Sequence, residues 1–214
     1  MKLSIIIPCL NSREIMRRQI IHWESLRLPP DIEWIIMDDG SNPPLRFPDV
    51  ELPNFRIVPT NDSRPWTWAL ARNAGARLAT GDYYLMTDID YIFSQKLLDD
   101  AYAFREDKLR FKREFGVLLE DGTFTQDMPT LLEYGLSPER TATRGVKMPA
   151  HPNNFCIRKD HFWAMGGYRE DLVERAYPQG EDGWFKKAWL QYVAAGKARE
   201  SDEKLRPVIY MFPT

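Results

Sequence analysis

The chain of 214 residues has few of the features that mark secreted or membrane-spanning proteins. It has only two cysteines, Cys9 and Cys156, and both lie in apolar segments. We therefore expect two buried free thiols rather than a disulfide or a metal-binding pair. No apolar run is long enough to span a membrane, and the apolar part of the N-terminus is too short for a signal peptide. These absences predict a protein of the reducing cytoplasm.

Charge of either sign is not in excess, because 29 lysines and arginines oppose 31 acidic residues and leave a net charge of −2. No overall field therefore favours binding to nucleic acid or to an anionic membrane. The chain also lacks a Gly-x-Gly-x-x-Gly motif, a Walker loop, internal repeats and low-complexity linkers. The common glycine-rich nucleotide sites are thus absent.

The first ninety residues contain alternating strand and helix patterns. The runs "LSIIIP", "EWIIM", "FRIVP" and "DYYLMT" are apolar and predict buried strands. Helices are predicted after Asn11, as N-cap, and over "WTWALARNAGARLATG", with Gly81 as C-cap. This alternation predicts an open α/β sheet that is parallel in its first part.

The second half is less regular. It predicts a helix over 94–107, a hairpin around Asp121-Gly122, a strand over 153–159, helices over 160–167 and 181–196, and a last strand over 207–212. Ser94 is the predicted N-cap of the first of these helices.

Two pairs of aspartates follow predicted strands. Asp38 and Asp39 end one strand, and Asp88 and Asp90 follow the apolar run "YYLM". Because ligands collect beyond the carboxyl ends of parallel strands, both pairs should line one edge of the sheet. In extended backbone Asp88 and Asp90 point to the same side, and two carboxylates this close repel unless a cation is near. We therefore expect Mn²⁺ or Mg²⁺ to bind here.

Two other interpretations of these aspartates were considered. They could cap the following helix, although Ser94 is better placed to do so. The apolar-then-Asp-x-Asp pattern also fits phosphatases that form an aspartyl-phosphate. Those enzymes usually carry it after their first strand, whereas three predicted strands come before it here.

Four segments, "SIIIPCLN", "IIMDDGS", "ARNAGARLATGDYYLMTDID" and "GGYRED…GEDGWF", occur in an order and spacing that resembles the family-2 glycosyltransferases of the GT-A fold. The resemblance covers the chain from Leu3 to about Leu190. It implies an α/β, Rossmann-like three-layer sandwich with a mostly parallel central sheet. It also implies one domain over 1–214, with a nucleotide-sugar-binding half (1–92) and an acceptor-binding half (93–214).

The same resemblance assigns roles to individual residues. An aspartate at 38 or 39 accepts a hydrogen bond from the base, which favours uracil. The second acid of "GEDGWF" is the general base, so that Asp182 is the first candidate and Glu181 the second. His151 is a candidate third metal ligand, with an ordinary loop histidine as the alternative. The remaining roles are base contact by Pro8, Cys9 and Asn11, nucleotide or phosphate contact by Arg72 and Asn73, ribose and metal contact by Asp88, and principal metal ligation by Asp90.

The expected function is metal-dependent, inverting transfer of a sugar, from UDP-sugar by preference, to an acceptor hydroxyl. Three alternatives stay open: transfer to hydroxymethylated bases of DNA, non-catalytic binding of sugar nucleotides or glycans on the same scaffold, and nucleotidyl transfer. The last is disfavoured because "PCLNSRE" has no glycine. The acceptor is left open among glycans, lipid-linked sugars, proteins and modified DNA. Residues 105–114 hold five basic side chains, which indicate a solvated helix face or, less favoured, a phosphate-contacting patch.

Overall fold

The computed structural model describes residues 2–62, 64, 67–174, 180–202 and 206–213. Within them, no helix is both long enough and apolar enough to cross a membrane. The strands are β1 (Leu3–Cys9), β2 (Ile32–Asp38), β3 (Phe55–Pro59), β4 (Tyr83–Met86), β5 (Tyr91–Ile92), β6 (Lys108–Arg110), β7 (Lys112–Phe115), β8 (Val117–Leu118), β9 (Phe124–Thr125), β10 (Lys147–Met148), β11 (Phe155–Arg158) and β12 (Val208–Met211). The α-helices are α1 (Arg13–Glu24), α2 (Trp68–Leu78), α3 (Gln95–Ala103), α4 (Met128–Glu133), α5 (Pro138–Arg144), α6 (Lys159–Ala164) and α7 (Glu181–Ala194), and a 3₁₀ helix spans Glu170–Glu174.

A six-stranded sheet in the order β3-β2-β1-β4-β11-β6 forms the centre of the molecule. Strands β1 to β4 pair in parallel, and β11 and β6 add antiparallel strands. The predicted mostly parallel sheet is therefore confirmed. Strands from both halves of the chain share this sheet, and the functional division at residue 92 stays a prediction.

Side chains of β1 alternate between two hydrophobic clusters, which makes the fold three-layered. Ile5 and Ile7 face one cluster, which contains Trp23 of α1 and Leu97 of α3. Ile6 faces the other, which contains side chains of α2, α6 and α7. The predicted three-layer sandwich is confirmed.

A smaller sheet in the order β10-β7-β12-β5 lies at one edge, with the hairpin β8–β9 beside it. Val117 pairs with Thr125 across this hairpin, as "EDG" predicted. The predicted last strand is also confirmed as β12, which pairs in parallel with β7 and antiparallel with β5. A third hydrophobic cluster, with Ile92 and Phe115 among its members, packs here.

Both cysteines are buried free thiols, as expected. Burial raises the pKa of the Cys9 thiol to about 12. Ser94 caps α3 as predicted, since its hydroxyl accepts a hydrogen bond of 3.1 Å from the Leu97 amide.

Two predicted helix boundaries are wrong. The N-cap of α1 is Ser12, because Asn11 adopts a left-handed φ of 53° and its side-chain oxygen accepts from the Asn42 amide. Helix α2 ends at Leu78, with Ala79 rather than Gly81 as its C-cap residue. At both boundaries the backbone or side chain bonds to a distant residue: Asn11 accepts from Asn42, and the amides of Thr80 and Gly81 donate to Glu33. Local sequence patterns do not reveal such contacts.

The basic segment 105–114 is not a helix face. Residues Lys108–Arg110 form β6 and residues Lys112–Phe115 form β7. Leu109 and Phe111 are buried at a spacing of two, which is the period of a strand. Lys108 is itself buried. The five basic residues therefore do not form one continuous phosphate-contacting surface.

Candidate active site

A cleft of about 590 Å³ opens at the carboxyl edge of the parallel strands. This is the edge at which ligands bind to open α/β sheets. Its volume lies in the usual range for small-molecule sites. The walls come from both halves of the chain, because residues after β1 and β4 meet the start of α7. Seven of the residues predicted to bind or react line it: Pro8, Arg72, Asp88, Asp90, His151, Glu181 and Asp182.

Asp88 and Asp90 lie in a turn rather than in extended backbone. Strand β4 ends at Met86, and the Asp88 carbonyl accepts a hydrogen bond of 3.2 Å from the Tyr91 amide. The predicted reason for their shared orientation is therefore wrong, although both line the cleft. Beneath the turn, the buried Gln19 amide donates to the carbonyls of Ile89 and Tyr91 at 3.0 and 2.8 Å. The turn is thus anchored to α1.

Asp90 carries the carboxyl best suited to a cation. Burial and the nearby Asp88 raise its pKa to about 7. Among the described residues, no other side chain forms a hydrogen bond to it. No described group of three or more histidine, cysteine or acidic side chains could hold a metal by itself. A pair of carboxylates nonetheless fits Mn²⁺ or Mg²⁺ that completes its shell with water and phosphate oxygens.

Arg72 is fully buried and is paired with two acids. One guanidinium nitrogen donates to the Asp88 carboxylate and another donates to Glu181 at 3.2 Å. Its guanidinium also lies 5.4 Å from the ring centre of Tyr168. Its Nε atom is buried without a hydrogen-bond partner among the described residues. Arg72 therefore joins the aspartate turn to the start of α7.

The two acids of "GEDGWF" differ in their surroundings. Glu181 is buried, and its Oε1 accepts from Arg72 and, at 3.1 Å, from Asn153. Asp182 keeps 30% of its side chain exposed and lines the cleft. Its Oδ1 accepts from the Gly183 amide at 2.6 Å. Glu181 is thus committed to structural hydrogen bonds, whereas Asp182 has an oxygen available to a ligand.

His151 faces Asp182 across the cleft, with 3.7 Å between its Nε2 and Asp182 Oδ2. Its Nδ1 accepts a hydrogen bond of 3.3 Å from the Asn153 amide. Burial lowers the pKa of His151, although the charges of Asp88 and Asp182 act in the opposite direction. A neutral imidazole with a proton on Nε2 satisfies these contacts.

The other predicted residues are not among those that line the cleft, and of these Asn11 is exposed. Cys9 and Asp38 are buried, and both Asp38 oxygens accept backbone amides, from Ser41 at 3.0 Å and Leu45 at 2.8 Å. Asn11 ties its loop to the 38–42 loop through Ser41 and Asn42.

Asp39 and Asn73 are buried as well. Asp39 Oδ1 accepts from Thr60 and Thr67, while its Oδ2 has no partner among the described residues. Burial raises the pKa of Asp39. The Asn73 side chain forms hydrogen bonds to the backbone of Tyr168. Of the two aspartates considered for the base contact, Asp39 is the one with an unused oxygen.

Two residues of this region were missed in the sequence. Tyr168 donates from its hydroxyl to Asn153 Oδ1 at 3.0 Å, and Asn153 in turn donates to Glu181. The polar pair Asn153-Asn154 at the start of an otherwise apolar strand was the available signal. Together with Arg72 these side chains form a buried polar network below the cleft.

The fold and the acidic cleft define an α/β protein with a small-molecule-sized site at the carboxyl edge of a mostly parallel sheet. Comparisons with known proteins point to the same kind of fold. Residues 4–109, about half of the chain, match the model of Glycosyl transferase family 2. Over residues 4–109 the chain belongs to this family. No curated protein sequence matches it.

Solved structures support the fold. The S. aureus TarS 1–349 structure in complex with UDP is 20% identical, with a TM-score of 0.55, covering 89% of this chain and 55% of that one. The mannosyltransferase PcManGT from Pyrobaculum calidifontis, in complex with GDP-Man and Mn²⁺, is 16% identical, with a TM-score of 0.59, covering 99% of this chain and 56% of that one. The chain thus spans little more than half the length of these proteins.

Proposed function

We propose that the protein transfers a sugar from a nucleoside-diphosphate sugar, with UDP as the preferred nucleotide, to an acceptor hydroxyl, with inversion at the anomeric carbon. One observation carries the proposal. Asp182, which is distant in the sequence from Asp88 and Asp90, lines the same cleft as they do at the carboxyl edge of the sheet. The family match and the neighbours solved with UDP or GDP-Man support it.

The donor lies across the ends of β1, β2 and β4. Pro8 contacts the base, and Asp39 accepts from the base NH through its unused oxygen. Asp88 and Asp90 would hold Mn²⁺ or Mg²⁺, which would supply a Lewis acid to neutralise the diphosphate leaving group. Arg72 acts indirectly, because its guanidinium is occupied by Asp88 and Glu181. It positions the acids rather than the phosphates.

Asp182 is the general base. It accepts the proton of the acceptor hydroxyl while that oxygen forms a bond to the anomeric carbon. The bond from that carbon to the diphosphate oxygen breaks, and the nucleoside diphosphate leaves with the electron pair. Glu181 is a positioning residue, since its carboxylate is buried and occupied by Arg72 and Asn153. His151 lies beside the Asp182 oxygen that faces the cleft.

The test is calorimetric titration of UDP with and without Mn²⁺, combined with release of UDP from UDP-sugars. We expect binding that needs the metal and that weakens by about tenfold or more in Asp90→Asn. Asp49→Asn is the matched control, because it removes the same charge from an exposed residue away from the cleft. Unchanged metal-dependent binding in Asp90→Asn refutes the metal assignment. Binding without any turnover supports instead a non-catalytic sugar-nucleotide-binding protein.

A further inference from the structure

A second groove, of about 320 Å³, lies on the far side of α7 from the cleft. Trp184, Lys187, Ala188 and Gln191 line it at spacings of three and four residues, which place them on one helix face. Asp182 precedes Trp184 by two residues and so points away from this face. The groove and the cleft are thus separated by the width of one helix.

The groove combines an exposed aromatic ring with positive charge. Trp184 is 38% exposed, although large apolar side chains are usually covered. The Arg169 guanidinium lies 4.6 Å and the Lys187 ammonium 5.2 Å from the centre of its ring. None of the described residues that line the groove is acidic. Arg169 shares its charge with Asp171, while Lys187 forms no ion pair with any described residue.

This chemistry suits an anionic sugar. The part of the Trp184 indole that stays exposed beside the two cations can contact the C–H bonds of a pyranose. The Lys187 ammonium can bind a phosphate or carboxylate, with Arg169 beside it paired with Asp171, and the Gln191 amide can pair with hydroxyls. The volume is at the lower end of the range of about 300–1,000 Å³ for small-molecule sites, which suits one or two sugar units. A nucleotide-sugar donor has its own site in the cleft.

The backbone segment Gly167–Tyr168 connects the groove to the side chains below the cleft. Gly167, which lines the groove, has a left-handed φ of 68°, and a Cβ there would lie 2.6 Å from Asn73 Oδ1. The next residue is Tyr168, which stacks on Arg72 below the cleft. An acceptor held in the groove therefore contacts elements that also form the reaction centre.

We propose that this groove is an acceptor subsite that binds an anionic saccharide unit, a sugar phosphate or a uronic acid, one helix width away from the unit that receives the transferred sugar. The assignment of the saccharide as acceptor depends on the proposed transferase function. The binding itself does not, so the two can fail separately.

The test is ¹H–¹⁵N NMR of the whole chain titrated with glucose 6-phosphate, glucuronate, glucose and inorganic phosphate. The Trp184 indole signal is assigned by its loss in Trp184→Phe. We expect saturable shifts of this signal with glucose 6-phosphate or glucuronate, and binding of glucose weaker by about tenfold or more, the equivalent of one charge-assisted hydrogen bond. Tighter binding of glucose 6-phosphate would identify a phosphate as the preferred anion, and tighter binding of glucuronate would identify a carboxylate.

Lys187→Gln should weaken binding of the anionic sugar by about tenfold. Lys186→Gln is the matched control, because it removes the same charge from the neighbouring exposed lysine, which does not line the groove. Equal effects of the two variants, equal binding of glucose, binding of inorganic phosphate as tight as that of the sugar, or no saturable shift would each overturn the proposal. Saccharide binding without donor turnover would support the proposed groove site and refute the transferase function.

Discussion

Removal of the Arg72 side chain tests whether the buried polar network holds the site together. In Arg72→Met the helix propensity and side-chain length are nearly kept, while the charge is lost. Asp88 and Glu181 then lose the cation that neutralises both of them. Breaking a buried ion pair by removal of one partner costs about 3–5 kcal/mol of unfolding free energy.

The structure narrows that range. The Glu181 side chain is 7% exposed, so little water can stabilise its charge. Asp88 retains 28%, so solvent screens part of its charge. We therefore expect a loss of about 3–4 kcal/mol, at the lower end of the range for buried pairs. For a chain of this size that lowers Tm by about 6–16 °C.

The assay is urea denaturation followed by circular dichroism, together with thermal unfolding. Arg77→Met is the matched control, because Arg77 lies on the same helix and pairs with Glu170 while 55% exposed. A surface pair of this kind contributes less than about 1 kcal/mol. In the double variant Arg72→Met/Glu181→Gln, the cost should fall short of the sum of the single variants by about 1 kcal/mol or more. Equal loss in Arg72→Met and Arg77→Met would refute the reasoning.

Three further predictions concern the base, a buried lysine and a helix glycine. Asp182→Asn should keep metal-dependent UDP binding and slow sugar transfer by about 10²–10⁴-fold, and full activity would place the base elsewhere. Burial lowers the pKa of Lys108 to about 7 from 10.5, so the folded state loses this proton before the unfolded state does and stability should rise with pH between those values. Lys108→Met should remove about 1.4 kcal/mol per pH unit from that rise, and an unchanged slope in urea denaturation at several pH values would contradict this. Gly75→Ala should destabilise the protein by about 1–3 kcal/mol, despite better helix propensity, because the new Cβ would come within 2.6 Å of Ile6, whereas Gly183→Ala has open space and should be neutral or stabilising.

Much of the fold could be predicted because local patterns report burial. The run "LSIIIP" is apolar at nearly every position, and it forms a strand with both faces covered. The acids after β4 could be predicted to share an edge with β1, because parallel strands bring their carboxyl ends together. The segment 105–114 was misread, because charged residues outnumber Leu109 and Phe111 and obscure the strand period.

The roles of individual acids depended on contacts that the sequence does not encode locally. "GED" presents Glu181 and Asp182 as equivalent, yet Arg72, 109 residues before Glu181, pairs with Glu181 and leaves Asp182 open. Similarly, both carboxylate oxygens of Asp38 accept hydrogen bonds from backbone amides, whereas Oδ2 of its neighbour Asp39 has no partner among the described residues.

The sequence by itself therefore determined the strands and helices of the first ninety residues, the parallel sheet and the edge at which carboxylates gather, because hydrophobic periodicity is a local pattern and parallel strands end at one edge. Only the tertiary structure decided which acids are neutralised and which stay available. Hydrogen bonding and burial set the state of a carboxylate, and both depend on residues that are brought together from distant parts of the chain.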